Sequence, residues 1–427
     1  MMGSEPKNKT NKKSQKPSVT GKQPNETKVL LSLTGGMDST VVAYLLNKQG
    51  YKCIGVSIVF LDDKFESFFT PSFFKPRSYQ NLENLQTFCQ KIGIPFYGIQ
   101  ASREYFDCII EPMVAARLAG ESYPLRYAEN KLIMKILAEK SEKLETDLIA
   151  TGHYAKIHRN LVKNEFALLT ANDIKSDQSY FLCQTDASLF KKLLFPLGDL
   201  RKTEVEKLLK SFGQKIEIYS GETESIFLEG KELEFFKSQS PPDLRESGTI
   251  HTEGGGAVIG DHQGVIEYEI GQENLSTENF FGMVDKENVV VEINSMDRKI
   301  VIGPPDEFFF DCCSIVNVFF VKEIDKTKPI EVFIHHMADQ EEREMCTLYF
   351  KNNNCAYLVF KKPIYSITIG KVIVFYNKSG GASHLIGSGV VYDNGDFSPI
   401  NRVEKYDEPE YDTEGKVVRT PPKEFKF

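Results

Sequence analysis

Apolar runs alternate with segments of helical spacing through the first half of the chain. The apolar runs lie at 29–33, 53–60, 95–100 and 147–151. Apolar residues with helical spacing separate them at 41–47, 82–90, 105–118 and 127–139. Strands that alternate with helices form a parallel sheet covered by helices on both faces. Residues 28–213 are therefore predicted to form an α/β domain, with its ligand site beyond the carboxyl ends of the strands.

The pattern changes in the second half to short apolar runs with a period of two, separated by turn residues. These runs lie at 289–293, 299–302, 315–321, 330–334, 346–350, 355–360, 371–375 and 385–391. They predict an antiparallel β-barrel or β-sandwich, and we expect the barrel, over residues 282–401. Residues 214–281, which are rich in glycine, proline and charge, are predicted to form a small central domain.

Both ends of the chain are polar. Residues 1–27 carry six lysines against two glutamates, which predicts a disordered basic tail that either solubilises the protein or contacts RNA phosphates. Residues 402–427 form a second polar tail.

The first apolar run ends in a turn suited to a polyphosphate. The turn is Thr34-Gly-Gly-Met-Asp-Ser39, and a helical pattern follows at once. Backbone N–H groups and the positive end of a helix meet at such a point. The glycines allow close approach, and Asp38 can help to hold a metal ion bound to the phosphates. No Gly-Lys-Ser/Thr is present, so this is not a lysine-containing P-loop, and an ordinary strand–helix turn is the alternative.

Length, composition and charge narrow the class of protein. The chain has 427 residues, which favours two or three domains, and its formal net charge is −8, whereas nucleic-acid binders are more often basic. Its eight cysteines are scattered without zinc spacing and are typical of free thiols in a reducing compartment. No apolar run approaches the roughly 20 residues of a membrane span. We therefore expect a cytoplasmic protein that does not enter a membrane.

Six motifs in order resemble those of tRNA-specific 2-thiouridylases, which belong to the ATP pyrophosphatase (PP-loop) superfamily and place sulfur on the wobble uridine of tRNA. The matching segments are Thr34-Gly-Gly-Met-Asp-Ser39, Ala150-Thr-Gly-His-Tyr-Ala-Lys156, Ser176-Asp-Gln-Ser-Tyr-Phe-Leu182, Phe195-Pro-Leu-Gly-Asp-Leu200, Ile259-Gly-Asp-His-Gln-Gly264 and Gly370-Lys-Val-Ile-Val-Phe-Tyr376. Other ATP pyrophosphatases share the first motif alone. The resemblance covers the chain from its first strand nearly to its end.

The resemblance implies ATP and Mg²⁺ as cofactors, and tRNA and a sulfur-relay protein as partners. The implied ATP-binding residues are Ser32, Leu33, Thr34, Gly35, Gly36, Met37, Asp38, Ser39, Ile58 and Gly152. The implied tRNA-binding residues are Ser176, Asp177 and Gln178, with Ser176 in place of a basic residue of the family. The implied reaction is adenylation of the uridine oxygen, followed by sulfur transfer from a persulfide on one cysteine and release by a second cysteine.

The chain departs from the family at both cysteines. The first cysteine precedes an asparagine, and here Glu129 stands before Asn130. The second follows an isoleucine, and here Phe227 follows Ile226. Only a thiolate or persulfide can carry the sulfur, so neither replacement can do so. Cys183 is a weak substitute candidate, with a buried structural thiol as the alternative.

The barrel departs from the family as well. A basic-aromatic-basic run contacts tRNA in the family, whereas the corresponding run here contains His335 and His336 followed by acidic residues. Three hypotheses therefore remain. They are a 2-thiouridylase with a rearranged sulfur relay, a diverged paralogue that binds ATP and tRNA without two-cysteine thiolation, and a different ATP pyrophosphatase.

Overall fold

The computed structural model describes residues 21–160, 165–212, 226–240, 245–252, 256–273, 275, 280–281, 288–336, 342–352 and 354–393. The predicted tail 402–427, the first twenty residues and all of 213–225 lie outside this part of the chain. Residues 21–27 do not fit the predicted disordered tail. Thr27 is fully buried and Lys22 forms an ion pair with Asp147, because this segment packs beside the first strand.

Five parallel strands form the sheet of the N-terminal domain. They are β1 (Lys28–Ser32), β2 (Lys52–Val59), β3 (Phe96–Gln100), β4 (Leu148–Ala150) and, after the antiparallel pair β5 (Ala155–Asn160) and β6 (Glu165–Thr170), β7 (Leu193–Leu194). The order across the sheet is β3-β2-β1-β4-β7, with every neighbouring pair parallel. Val29, Leu30 and Leu31 are all fully buried, as expected of a strand covered on both faces.

Helices flank this sheet. They are α1 (Met37–Lys48), α2 (Pro71–Phe74), α3 (Leu82–Ile92), α4 (Ser102–Tyr105), α5 (Glu111–Ala119), α6 (Leu125–Lys143) and α7 (Lys202–Ser211), with a π-helical turn at Phe106–Ile110. In α3 the buried side chains Leu85, Phe88 and Cys89 recur at helical spacing, so this face packs on the sheet. Among the described residues, no helix combines the length and apolarity that a membrane span requires.

The strand order places the carboxyl ends of β1 and β4 side by side. Leu31 is in register with Ala150. The chain winds outward through β2 and β3 on one side of β1 and returns through β4 on the other. Such a reversal leaves a crevice at the carboxyl edge of the sheet, where ligands of these folds bind.

The central region contains the helix α8 (Lys231–Gln239) and a four-stranded sheet. The strands are β8 (Gly248–Thr252), β9 (Val258–His262), β10 (Val289–Asn294) and β11 (Lys299–Gly303), in the order β10-β11-β8-β9. The sequence pattern placed 289–293 and 299–302 in the barrel, and this was wrong. Ile300 pairs with Ile250 of β8, and a period of two does not reveal which sheet a strand joins.

Six antiparallel strands close the C-terminal barrel, which begins at Phe309 rather than at 282. They are β12 (Phe309–Phe320), β13 (Ile330–His335), β14 (Glu344–Phe350), β15 (Cys355–Tyr365), β16 (Val372–Tyr376) and β17 (Leu385–Asp393). The prediction of a parallel-sheet domain and an antiparallel barrel is confirmed. The barrel docks on the N-terminal domain through hydroxyl contacts, such as Ser179 Oγ to Tyr376 Oη at 2.8 Å.

Candidate nucleotide-binding site

The turn between β1 and α1 is held by its own hydroxyl groups. Thr34 N–H donates to Ser39 Oγ at 3.2 Å, and Thr40 Oγ1 donates to the Gly36 carbonyl at 2.9 Å. Gly36 caps the twelve-residue helix α1 without a side-chain bond. The first N–H groups of a helix have no partner within the helix, so this turn offers donors to an anion.

Two glycines allow the backbone segments around the turn to approach closely. Gly35 has φ +79°, a conformation that residues with a Cβ rarely adopt, and a Cβ there would overlap Asn81. Gly152 follows β4, and a Cβ there would lie 2.9 Å from Ser39 N. Gly152 therefore lets the loop after β4 contact the start of α1, and Gly35 lets the turn pack against Asn81.

A cavity of about 650 Å³ opens beside this turn. All the ATP-binding residues predicted from the sequence line it except Gly35, whose backbone lies against Asn81. Leu33 contributes main chain, because its side chain is buried in the core. The size and position of the cavity are those of a small-molecule site at the carboxyl edge of an α/β sheet.

Asp38 lies in the first turn of α1, where its carboxylate faces Tyr154. Tyr154 Oη donates to Asp38 Oδ1 at 2.8 Å. Burial, together with the charge of Asp38, raises the pKa of Tyr154, so the phenol stays protonated and keeps donating. A single carboxylate fits Mg²⁺ that is held chiefly by phosphates and water. In the described part of the chain, no three His, Cys, Asp or Glu side chains form a metal cluster.

His153 joins the loop after β4 to helix α6. Its Nε2 lies 2.8 Å from Asn130 Oδ1, and its Nδ1 lies 2.7 Å from Thr151 Oγ1. Burial lowers the pKa of His153 to about 4, so the ring is neutral at pH 7. Because Asn130 Nδ2 donates to the Arg126 carbonyl, Oδ1 must accept, and we assign the ring proton to Nε2.

Glu129, which the resemblance aligns with the family's first cysteine, is an ion-paired carboxylate in the wall of this cavity. It is 2% exposed, and its two oxygens accept from Arg77 Nε and Nη2, both at 2.9 Å. Tyr105 Oη donates to Oε1 at 2.7 Å. Burial would raise the pKa of Glu129, but Arg77 outweighs this effect and holds it below its ordinary value. The carboxylate is therefore charged and fully engaged.

Phe227, which the resemblance aligns with the second cysteine, is a core aromatic residue that is 6% exposed. Its ring stacks on Phe69 with centroids 5.1 Å apart and contacts Phe235 at 5.3 Å. Phe73 lies 5.1 Å from Phe69 and 4.0 Å from the Arg77 guanidinium. Side chains in contact thus fill the space between the two positions.

The thiols of the chain are mostly buried. Cys183 is fully buried, and burial raises its pKa to about 12, so it supplies no thiolate near neutral pH. This geometry disfavours Cys183 as a substitute sulfur carrier. Cys108, on the π-helical turn, is exposed, Cys355 is half-buried, and the other cysteines are buried.

The segment 176–178 lines a second cavity, of about 1030 Å³, between the N-terminal domain and the barrel. Asp177 is nearly buried and accepts from Ala171 N–H and Ser179 Oγ, both at 2.8 Å. Ser176 Oγ donates to Asp173, and Gln178 Oε1 accepts from Tyr154 N–H. These side chains therefore hold the loop in place as well as facing the cavity.

His335 and His336 lie on the barrel side of the second cavity, and residues 337–341 of the same run lie outside the described residues. Burial lowers the pKa of His335 to about 3 and that of His336 to about 4, so both are neutral at pH 7. Arg343, just beyond the run, was missed by the sequence argument. It packs over Tyr376 and lies 3.8 Å from Asp177, so it supplies positive charge to the cavity.

The buried Asp177 should make stability depend on pH. Burial raises its pKa from 3.8 to about 6, so its contribution to stability is present at low pH and lost as the pH rises through 6. We expect Asp177→Asn to gain up to about 3 kcal/mol relative to wild type between pH 4 and pH 7. Urea unfolding across this range measures the difference, and a difference that does not change with pH would contradict the assignment.

Sequence reasoning also missed Arg77, Lys202 and Asn81. Arg77 and Lys202 line the nucleotide cavity, and Asn81 supports the turn from behind. None lies in a motif. Only the arrangement of side chains far apart in sequence identifies them.

Together, a parallel sheet, a phosphate-sized turn at its carboxyl edge and an attached β-barrel define an α/β protein with a candidate nucleotide site and an accessory barrel. Residues 27–229 match a family model described as the tRNA methyl transferase HUP domain. Residues 310–391 match one described as the aminomethyltransferase beta-barrel domain.

Two curated relatives extend the match over most of the chain. The tRNA-specific 2-thiouridylase MnmA of Listeria monocytogenes (serotype 4b, strain CLIP80459) is 28% identical over 361 residues, covering 83% of this chain and 92% of the relative. The enzyme of the same name from Clostridium acetobutylicum is 29% identical over 369 residues, covering 85% and 99%. The chain is therefore similar to tRNA-specific 2-thiouridylases over most of its length.

Solved structures add little. A predicted subunit of tRNA methyltransferase from Methanocaldococcus jannaschii is 16% identical and covers 43% of this chain and 74% of its own. Its TM-score is 0.25, which is too low to support any inference.

Proposed function

We propose that this chain binds ATP and tRNA as a member of the 2-thiouridylase family, and that it does not transfer sulfur by the two-cysteine route. The observation that carries this proposal is the buried Arg77–Glu129 ion pair at the position of the first cysteine.

The cavity beside the 34–39 turn supports ATP binding. Its hydroxyls, helix N-terminus and glycines suit a polyphosphate, and Ile58 supplies an apolar wall for the base. Bound ATP, with Mg²⁺ at Asp38, would supply adenylation of an acceptor oxygen. The side chains of this chain bind and orient the nucleotide.

The second cavity supports an RNA acceptor. Among the described residues that line it, five are basic and one is a carboxylate, and they are Arg126, Lys175, Lys202, Arg343 and Lys371 against Asp177. Aromatic rings such as Tyr127 and Phe181 stand among them, a combination that binds nucleotides by charge and stacking. Arg126, Gln178, Phe181 and Lys202 line both cavities, so an acceptor would lie next to the ATP.

The sulfur step lacks the groups that it needs. Glu129 and Phe227 carry no sulfur, Glu129 is bound to Arg77, and Phe227 is packed among aromatic rings. The thiol of Cys183 is buried and protonated. Loss of both cysteines with retention of the nucleotide turn therefore favours a diverged binding protein.

A second candidate is a 2-thiouridylase with a rearranged sulfur relay. The length of the match to the curated 2-thiouridylases favours it. Cys108 favours it as well, because its thiol is exposed. The Cys108 carbonyl also accepts a hydrogen bond from Tyr123, which lies in the segment 123–131 that contains Glu129.

One assay distinguishes the two candidates. Purified protein is incubated with ATP, tRNA and a persulfide donor, the nucleosides are analysed by mass spectrometry, and the Clostridium acetobutylicum relative serves as the positive control. We expect no 2-thiouridine from this chain, although calorimetry of the same preparation should show ATP binding. Robust 2-thiouridine would overturn the proposal, and its loss in Cys108→Ser would identify the rearranged relay.

A further inference from the structure

The connection between β2 and α3, residues 60–81, touches the nucleotide turn at its last residue. Asn81 is 1% exposed, and its Nδ2 donates to the Thr34 carbonyl at 2.7 Å. Gly35 lies so close to the same amide that a Cβ there would overlap Asn81 Oδ1. Asn81 therefore supports the turn on the side away from the cavity.

Asn81 makes this contact at the expense of its usual role. It immediately precedes α3, where an asparagine side chain ordinarily accepts from the first N–H groups of the helix. Here it makes no cap bond, and Oδ1 has no hydrogen-bond partner among the described residues. The buried Asn81 amide thus bonds to the phosphate turn instead of capping α3, which indicates that it helps to fix the conformation of that turn.

Arg77 anchors the same connection four residues earlier. Its guanidinium holds both oxygens of Glu129 and donates to the Phe73 carbonyl at 2.9 Å. Its own carbonyl accepts from Phe60 N–H and Leu61 N–H, at the end of β2. A short 3₁₀ turn, Tyr79–Asn81, spans the distance from Arg77 to the nucleotide turn.

We propose that Glu129 and Asn81 are positioning residues for ATP. Glu129 fixes Arg77, Arg77 fixes the end of the 60–81 connection, and Asn81 at that end holds Thr34 and Gly35 in the conformation that binds phosphates. The inference rests on the proposed ATP binding. It gives the carboxylate at the former cysteine position a role in holding the nucleotide.

The consequence concerns preorganisation of the turn. The backbone at 34–36 and the first N–H groups of α1 keep their present orientation only while the Thr34 carbonyl and the φ of Gly35 are fixed. A turn released from Asn81 must be ordered again each time ATP binds. The effect should grow with the number of phosphates, because AMP has the fewest groups that reach the turn.

The test measures Kd for ATP and for AMP by calorimetry in wild type, Asn81→Ala, Asn81→Asp, Glu129→Gln and the Asn81→Ala/Glu129→Gln double variant. Loss of one ordinary hydrogen bond predicts about tenfold weaker ATP binding for Asn81→Ala, with a smaller change for AMP. Asn81→Asp keeps the shape but sets a carboxylate against the Thr34 carbonyl, so it should be weaker still. If Asn81 only filled space, Asn81→Ala would weaken ATP binding more than Asn81→Asp.

Glu129→Gln is expected to weaken ATP binding several-fold. The double variant should bind ATP no more weakly than Asn81→Ala alone, because both residues act through the same 60–81 connection.

Val332→Ala, in the barrel core, is the control that lowers stability without changing Kd. Absence of ATP binding in wild type would overturn the proposed function. ATP binding in wild type with unchanged Kd in Asn81→Ala and Glu129→Gln would overturn this inference. If Asn81→Ala fails to fold, Asn81→Ser replaces it.

Discussion

Asp38→Ala should weaken Mg-ATP binding by about 100-fold, the loss that follows removal of a strong charged contact. Asp38 is the acidic residue in the first turn of α1, at the edge of the cavity that the phosphate turn forms. A carboxylate there attracts the metal but repels the phosphates. Its removal should therefore weaken ATP binding in the presence of Mg²⁺ and leave it equal or stronger in EDTA.

Asp38→Asn is the matched control, because it keeps an acceptor for Tyr154 and loses the charge alone. The two variants should lose Mg-ATP affinity to a similar degree in calorimetry if the charge acts on the metal. If only Asp38→Ala loses affinity, the contact of Tyr154 with residue 38 is what matters, at 2.8 Å in the wild type. Unchanged affinity in both variants would mean that the turn no longer binds nucleotide.

The parts of the fold that the sequence predicts are those set by local pattern. The run 29–33 followed by the glycines predicted β1, the turn and α1, because burial on both faces and helix initiation depend on neighbouring residues. The same reasoning failed for β10 and β11. Their alternation fits either the central sheet or the barrel, and the parallel pairing of Ile300 with Ile250 is a long-range choice.

The candidate site also contains one part that local sequence predicts and one part that it does not. The residues of the 34–39 turn lie together in the sequence and come together around the cavity. The residues that support this turn are far apart in the sequence. Asn81 is 47 residues from Thr34, and Arg77 is 52 residues from Glu129. The resemblance to the family singled out Glu129 as the residue aligned with a cysteine, but only the arrangement of side chains reveals its ion pair with Arg77.

Replacing Glu129 by cysteine should cost about 3–5 kcal/mol of unfolding free energy, the range for removing one partner of a buried ion pair. Arg77 is 16% exposed and would lose its counter-charge, and Tyr105 would lose its acceptor. Urea unfolding of Glu129→Cys measures the cost. Arg77→Met in the same chain should recover part of it, because it removes the stranded charge, and the double-mutant cycle should therefore show strong coupling.

Glu331→Cys is the matched control, since it breaks an ion pair with Lys361 in which both side chains are more than half exposed. Its cost should stay below about 1 kcal/mol. A Glu129→Cys variant as stable as wild type would show that the ion pair contributes little and that a cysteine fits this wall unchanged, which would remove the main support for a diverged protein. A large loss of unfolding free energy in Glu129→Cys, but not in Glu331→Cys, would mean that the present packing disfavours a cysteine at position 129. Arg77 and Phe73 would then have to change together with Glu129.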